Sequence, residues 1–372
     1  MTDRIFILIF TFFLIAESKS QNYLPKDTIY GNVKNIKEKV IFLTEIENPQ
    51  FMYYDDYGHS GFMGPESTIS NFKDTWFTSN SSYYINYSRS FDNHRNVVSD
   101  TWYGKKDNFL RSYKNFFNEE NKIIREIDST DYFVFKTNYH YSDYGDINII
   151  KQNNKDNFFR HTYKKIEDGK LNTLKIFDKN GSVNEYKYYY NENGKLKYRI
   201  YKNPNSWLEI NENTWSYGIQ DSILTVYKDI VNIYDDKNRV IQHQTFDLYE
   251  AEGNKKNPQL KLQIDYIYSD NNLVSKREKY KDGFEAVNYY KYNKSGEIIE
   301  RYCCNEDSKK ASIIEKYQYK EGRISRLEYI EEGKKYIVNF RYKIDSKNNW
   351  IEIIKNVDGK DLFKWIRDIE YY

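Results

Sequence analysis

The chemistry-bearing residues of this chain are numerous but dispersed. Five histidines occur, His59, His94, His140, His161 and His243, and none forms an HxxxH or HExxH pair. A catalytic zinc needs two such ligands brought to one face, so a histidine-based metal site has no motif here. No GxSxG turn presents a serine nucleophile, and no phosphate or dinucleotide loop occurs. Asp178-Lys-Asn180-Gly181 opens like a calcium loop, but the twelfth position is Tyr189 instead of an acid. That run reads as a turn. The only cysteines, Cys303 and Cys304, are adjacent. Adjacent residues of a strand face opposite ways, so bridging them would distort the disulfide, and one inward cysteine packing as a small hydrophobe is expected. Carboxylates are abundant enough for a glycosidase pair. They alternate with lysines, however, as they do on solvated strand faces. The sequence therefore nominates no catalytic, metal or cofactor residue.

What it does nominate is aromatic. Tyr189, Tyr201 and Tyr289 fall on strand positions shared with charged residues. Exposed there, they could stack on a sugar or on another protein. The competing reading makes them half-buried strand formers.

These side chains need a scaffold, and composition bounds it. The 372 residues are 39% apolar and 18% aromatic, with 39 tyrosines. Such a chain can bury a core, unlike aromatic-poor disordered sequences. A mean hydropathy of −0.91 is too polar for a multi-span helical membrane protein. Lys+Arg 57 against Asp+Glu 55 leaves no basic excess for nucleic acid. Residues 1–20, MTDRIFILIFTFFLIAESKS, place an apolar run at Ile5–Ala16 after Arg4 and before small residues at Ser18 and Ser20. That is the pattern of a cleaved signal peptide. No later run of 18 apolar residues follows, so the mature chain is expected to be exported without a transmembrane helix. Periplasm, cell surface and extracellular medium all fit.

A repeat organises the rest. Aromatic pairs two residues apart recur at Tyr139/Tyr141, Tyr188/Tyr190, Tyr266/Tyr268, Tyr290/Tyr292, Tyr317/Tyr319 and Phe340/Tyr342. Short polar turns follow, such as Asn191–Gly194 and Asn293–Gly296, and then an apolar residue: Ile147, Leu196, Leu273, Ile298 or Ile324. Residues two apart share a strand face, and Gly or Asn supplies the positive φ of a turn. Each copy therefore reads as a β-hairpin with one aromatic face. In the copy at Tyr186–Ile200, this reading puts Tyr186, Tyr188, Tyr190, Leu196, Tyr198 and Ile200 inside, with Lys187, Lys197 and Arg199 in water. Degenerate copies begin at Phe91, Phe117 and Tyr234.

The expected architecture is all-β: an elongated antiparallel meander of repeated hairpins with irregular insertions. Its divisions are a signal peptide (1–20), an N-terminal strand plus loop-rich segment (21–90) and the hairpin array (91–372). The opening strand lies in Asn32–Glu45 and the closing strand in Leu362–Tyr371. Asn48–Lys73 reads as a loop-rich insertion, Asn203–Tyr217 and Glu250–Pro258 as excursions. Longer or irregular connections are expected near 145–185 and 200–230.

Segments such as Tyr188–Tyr201 (YYYNENGKLKYRIY) and Tyr290–Tyr302 (YKYNKSGEIIERY) resemble YD repeats of RHS-type and teneurin-type proteins. The short exported YD-repeat-like proteins of Bacteroidota are similar in style. The likeness runs from Phe91 to the C-terminus in degenerate form. The large relatives enclose a toxin in a β-shell. This chain is too short for a shell and lacks an Asp-Pro-x-Gly-type cleavage core, so that function is not carried over. The resulting expectation is a non-catalytic exported binding protein without a cofactor, whose partner is an envelope component, a glycan or another exported protein. A secreted carbohydrate-directed hydrolase is one alternative. An outer-membrane barrel is another, opposed by charges on both faces of the last segment: Glu370 and Asp368 beside Tyr372, Arg367 between Ile369 and Trp365.

Overall fold

A computed structural model describes residues 27–44, 65–153, 158–178, 183–203, 206–211, 214–219, 225–250, 256–305, 313–331 and 333–372. The leader at 1–20 lies outside them. The strands run β1 (Val33–Phe42), β2 (Asn86–Phe91), β3 (Val97–Tyr103), β4 (Phe109–Phe117), β5 (Ile123–Ser129), β6 (Val134–Tyr141), β7 (Ile147–Asn153) and β8 (Phe158–Glu167). They continue with β9 (Lys170–Asp178), β10 (Val183–Tyr190), β11 (Leu196–Asn203), β12 (Ser206–Asn211), β13 (Thr214–Ile219), β14 (Thr225–Tyr234), β15 (Val240–Glu250) and β16 (Lys256–Ser269). The last are β17 (Asn272–Tyr280), β18 (Glu285–Tyr292), β19 (Ile298–Asn305), β20 (Ile313–Lys320), β21 (Arg323–Glu331), β22 (Lys334–Ile344), β23 (Trp350–Val357) and β24 (Lys360–Tyr371). Among the described residues one helix, α1 (Pro65–Thr78), lies between β1 and β2 in the chain.

The antiparallel hairpin meander is present, but it is not open. Each strand of the main sheet pairs with its neighbour, and β1 pairs with both β2 and β24. Ile36 stands opposite Ile369 and Val40 opposite Trp365. The 22-stranded sheet thus closes into a barrel, while β12 and β13 form a separate hairpin between β11 and β14. Closure removes both sheet edges, a liability an elongated meander would have kept. The boundary drawn at residue 90 falls inside β2, and the N-terminal strand completes the same sheet. The 145–185 region holds β7, β8, β9 and the start of β10, while its connections at 154–157 and 179–182 lie outside the described residues.

The repeat encodes one rim of this barrel. Asp92, Asn118, Ser142, Asn191, Asp235, Asn293 and Asp345 each accept the backbone N–H of the residue four positions on, at 2.8–3.0 Å. The residue before that donor has positive φ: Arg95, Asn121, Gly145, Gly194, Asn238, Gly296 and Asn348. Only Gly is free of strain there and Asn tolerates it best, which explains why the turns end in one or the other at six of seven copies. All seven turns lie at the same end, because each pair of strands returns the chain to it.

The aromatic preceding the turn has a second task. Tyr141, Tyr190, Tyr234, Tyr268, Tyr292, Tyr319 and Tyr342 each donate the phenol to a backbone carbonyl on the preceding sheet strand, at 2.6–3.0 Å. The acceptors are Ile123, Leu171, Leu196, Val240, Leu273, Ile298 and Ile324. These are the apolar residues with which the chain restarts after the previous rim turn. The motif's two halves, aromatic pair and apolar restart, therefore meet between neighbouring hairpins.

The face assignment after the turn needs correcting. A β-bulge at Tyr189/Tyr190 sets Tyr190 opposite Leu196, but Tyr188 opposite Arg199 and Tyr189 opposite Tyr198. The extra residue inverts parity. Arg199 and Tyr201 therefore join Tyr186 and Tyr188 on the inner face, and Tyr198 and Ile200 turn outward. The same shift occurs at Phe91, Phe117, Tyr234, Tyr292 and Ile344.

Helix α1 lies on the inner face. Pro65 occupies its first turn, where the missing N–H costs nothing. Ile69, Phe72 and Trp76 follow at helical spacing and are buried. Phe72 meets Trp365 edge-on at 4.7 Å, Trp76 meets Trp365 at 5.5 Å, and Phe77 lies 5.3 Å from Phe340. Lys355, wholly buried on β23, donates to the carbonyls of Trp76 at 2.7 Å and Ser81 at 2.5 Å. Burial pushes the Lys355 amine well below its ordinary value, and what the side chain supplies here is hydrogen-bond donors to the free carbonyls at the helix C-terminus. Asn48–Lys73, read as loop, thus contains the start of this helix; its residues 48–64 lie outside the described part. The helix fills one side of the barrel only. Inner side chains from β20 to β24 are largely buried, whereas Phe135, Tyr139 and Ile149 on β6 and β7 are half-buried.

The two faces differ in chemistry. Inside, charges pair across neighbouring strands: Arg89–Asp100 at 2.8 Å, Arg111–Asp128 at 2.5 Å, Arg199–Asp229 at 2.6 Å, and Arg301–Glu315. Outside, Lys175–Glu185, Lys291–Glu300, Lys335–Glu328 and Lys364–Glu352 pair at 2.8–3.4 Å.

Candidate functional site

A cavity of about 280 Å³ opens at the rim that carries the repeated turns. Four pieces of chain build it. The β20–β21 turn contributes Glu321, Gly322 and Arg323; the first two have φ of 54° and 70°, as a tight two-residue hairpin requires. The β22–β23 turn contributes Asn348. The segment Asp27–Tyr30 crosses the mouth, and α1 supplies Lys73 and Phe77. Trp350, Trp365 and Tyr342 form the aromatic wall.

Each piece is fixed by hydrogen bonds. Asn349 acts as an artificial strand neighbour for Tyr30, accepting its N–H at 2.7 Å and donating to its carbonyl at 2.9 Å. The same amide donates to the Tyr371 phenol at 2.7 Å, and Tyr371 donates to Asp345 at 2.6 Å. Arg323 spans the two turns, donating to Asn348 Oδ1 at 2.9 Å and to its carbonyl at 3.2 Å.

Beneath the mouth lies a closed ion network. Asp27 accepts from Arg367 Nη1 at 3.0 Å and Nη2 at 2.5 Å, from Lys73 at 2.6 Å, and from Trp350 Nε1 at 2.9 Å. Glu38 accepts from Arg367 Nε at 2.8 Å and Trp365 Nε1 at 2.9 Å. The Arg367 guanidinium lies 3.6 Å from the Trp350 ring centre. Burial alone would raise the Asp27 carboxyl, but Arg367 and Lys73 outweigh it and hold it well below the usual range. A general acid needs the opposite shift, so Asp27 cannot hold a proton for a leaving group at neutral pH. The network locks the segment, helix and closing strands together.

The described histidines do not assemble a site either, and His59 lies outside the described residues. His243 Nδ1 lies 2.7 Å from Asn232 Oδ1, and His161 Nε2 lies 3.0 Å from Asn148 Oδ1. The first faces inward and the second outward. Burial lowers the imidazole pKa of both, with Lys276 adding to the effect at His243. Among the described residues no group of three or more His, Cys, Asp or Glu side chains could hold a metal. Cys303 is half-buried on the inner face and outside any disulfide.

The three nominated tyrosines are separated. Tyr189, 37% exposed, stacks on Tyr198 at 4.5 Å on the outer face. Tyr289 stacks on Tyr302 at 4.8 Å, also outside. Tyr201 is instead on the inner face, donating to Asn184 at 2.6 Å and lying 5.1 Å from Tyr186. None of the three lines the cavity. The residues that do were not found from sequence, although Pro65 followed by Ile69, Phe72 and Trp76 is a legible helix signal that would have located α1.

A comparison with protein-family models finds no match, and a search of curated proteins finds no relative. Among solved structures, a porin-like protein from Bacteroides uniformis is matched over 93% of this chain and 100% of that chain, at 10% identity and a TM-score of 0.25. So loose a superposition carries no argument; the closure is read from this chain's own strand pairing.

Proposed function

We propose that this protein is an exported, YD-repeat-like β-barrel of the cell envelope that binds a ligand without transforming it, its outer surface in water. The carrying observation is the outer face. A lipid-facing barrel needs an apolar band there, and a Lys or Arg at the bilayer midplane costs ~2–4 kcal/mol. Here cross-strand ion pairs, including Lys291–Glu300 and Lys335–Glu328, occupy outward positions instead. The saturated ion network supports a binding role over hydrolysis. The shared turn and tyrosine bond of successive copies support an internal hairpin repeat.

The outer-membrane barrel remains the second reading, and closure of the sheet favours it, since only a closed barrel can cross a bilayer with strands. Among the described residues no helix is long and apolar enough to cross a membrane, which says nothing of strands.

The experiment is expression with the native leader, followed by fractionation, intact mass, and affinity capture from the envelope fraction. Loss of about 18–20 residues and retention of a specific envelope component support the proposal. A cytoplasmic product that retains Met1, or an exported one that retains no component, contradicts it.

A further inference from the structure

We infer that the rim cavity is a binding site for a neutral pyranose sugar. This rests on the binding reading above and names its ligand. Three features of the cavity converge on that chemistry. Its lining is aromatic: Trp350 and Trp365 are nearly buried behind it, at 8% and 1% exposure, Tyr342 and Phe77 flank them, and Tyr30, 47% exposed, is the open ring at its mouth. Its rim is polar and of both signs: Glu321, Arg323 and Asn348. Its charge is balanced, because Lys73 is consumed by Asp27, and Arg323 shares its turn with Glu321.

A ligand matched to this site presents an apolar face to the rings and hydrogen-bonding groups to the rim, and carries no net charge. A pyranose does all three: its C–H face packs on aromatics and its hydroxyls both donate and accept. An anionic ligand would find Lys73 already held by Asp27 and, beside the rim cation Arg323, the carboxylate of Glu321 in the same turn. The volume, about 280 Å³, is near the lower limit of ~300 Å³ for small-molecule sites and suits one ring better than an oligomer.

The site is also built in advance. Arg323 is anchored by Asn348, and Tyr30 is pinned through its backbone by Asn349. Binding therefore orders little that is not already ordered, which lowers its entropic cost.

The test is titration of the mature protein with the methyl pyranosides of glucose, galactose, mannose and N-acetylglucosamine, followed by calorimetry and tryptophan fluorescence. At least one is expected to bind saturably and perturb the fluorescence, since two tryptophans line the cavity. Arg323→Ala should weaken that binding by about 10-fold, roughly 1.4 kcal/mol, with little change in thermal midpoint. Tyr289→Ala, on the outer face, should leave it unchanged. Binding by none of the four, binding confined to charged sugars such as methyl galacturonoside, or binding indifferent to Arg323→Ala would each overturn the assignment. If an envelope component is still captured in that case, the binding barrel stands and only the sugar site fails.

Discussion

The phenol of Tyr292 donates to the carbonyl oxygen of Leu273 at 2.7 Å, tying one hairpin to the closing strand of the one before it. Tyr292→Phe keeps the ring and removes this bond. It should cost about 1 kcal/mol, the net worth of one hydrogen bond. Tyr292→Ser also removes the packed ring and should cost about 3 kcal/mol. Tyr289→Ser, which loses only the stack on Tyr302, should cost ~1 kcal/mol. Thermal unfolding of the three variants checks the order. A Tyr289 variant as damaged as the Tyr292→Ser variant would show that the faces are assigned wrongly.

That ranking depends on what the sequence displays and what it hides. The pairs Tyr188/Tyr190 and Tyr290/Tyr292 display their face because alternation is a local property of a strand. Plain alternation puts Arg199 in water, and a bulge, one extra residue beside the turn, reverses that alternation without altering composition. The contact of Ile36 with Ile369 is hidden for a different reason: nothing in either strand encodes its partner more than 300 residues away. Closure is a property of the whole ring, and only the accumulated twist and register determine it. The cavity inherits this, since Asp27, Lys73 and Arg367 meet only once β1 and β24 have paired.

Glu38 and Arg367 are both almost fully buried and bonded at 2.8 Å. Glu38→Gln leaves the guanidinium with Asp27 as its remaining carboxylate partner and should destabilise by ~1.5–3 kcal/mol, the scale of one hydrogen bond to a charged group. Asp27 adds a pH signature. Its folded carboxyl lies below the ordinary aspartate value, so its contribution is complete above about pH 4 and is lost as pH falls through the folded value. Stability of wild type minus Asp27→Asn, measured by denaturant titration, should be constant near neutrality and shrink in acid. A difference that grows in acid would contradict the network.

Base acts through the tyrosines. Burial pushes the phenols of Tyr190, Tyr227 and Tyr290 from 10.0 up to about 12. A group whose folded pKa is raised gives full stability below its unfolded value and loses it as pH rises through the folded one. The barrel should therefore unfold cooperatively between about pH 10 and pH 12, with the last part of the phenolate absorbance rising in the same step. Ionisation of every tyrosine near pH 10 with the sheet intact would mean that these rings are in water.

The most direct test of a closed barrel that stands in water is flotation. The mature protein, prepared without detergent, is mixed with phospholipid vesicles and centrifuged in a density gradient. The outward ion pairs Lys291–Glu300, Lys335–Glu328 and Lys364–Glu352 predict a soluble protein that stays in the dense fraction, away from lipid. A protein that precipitates without detergent and floats, inserted, with the vesicles would contradict the account.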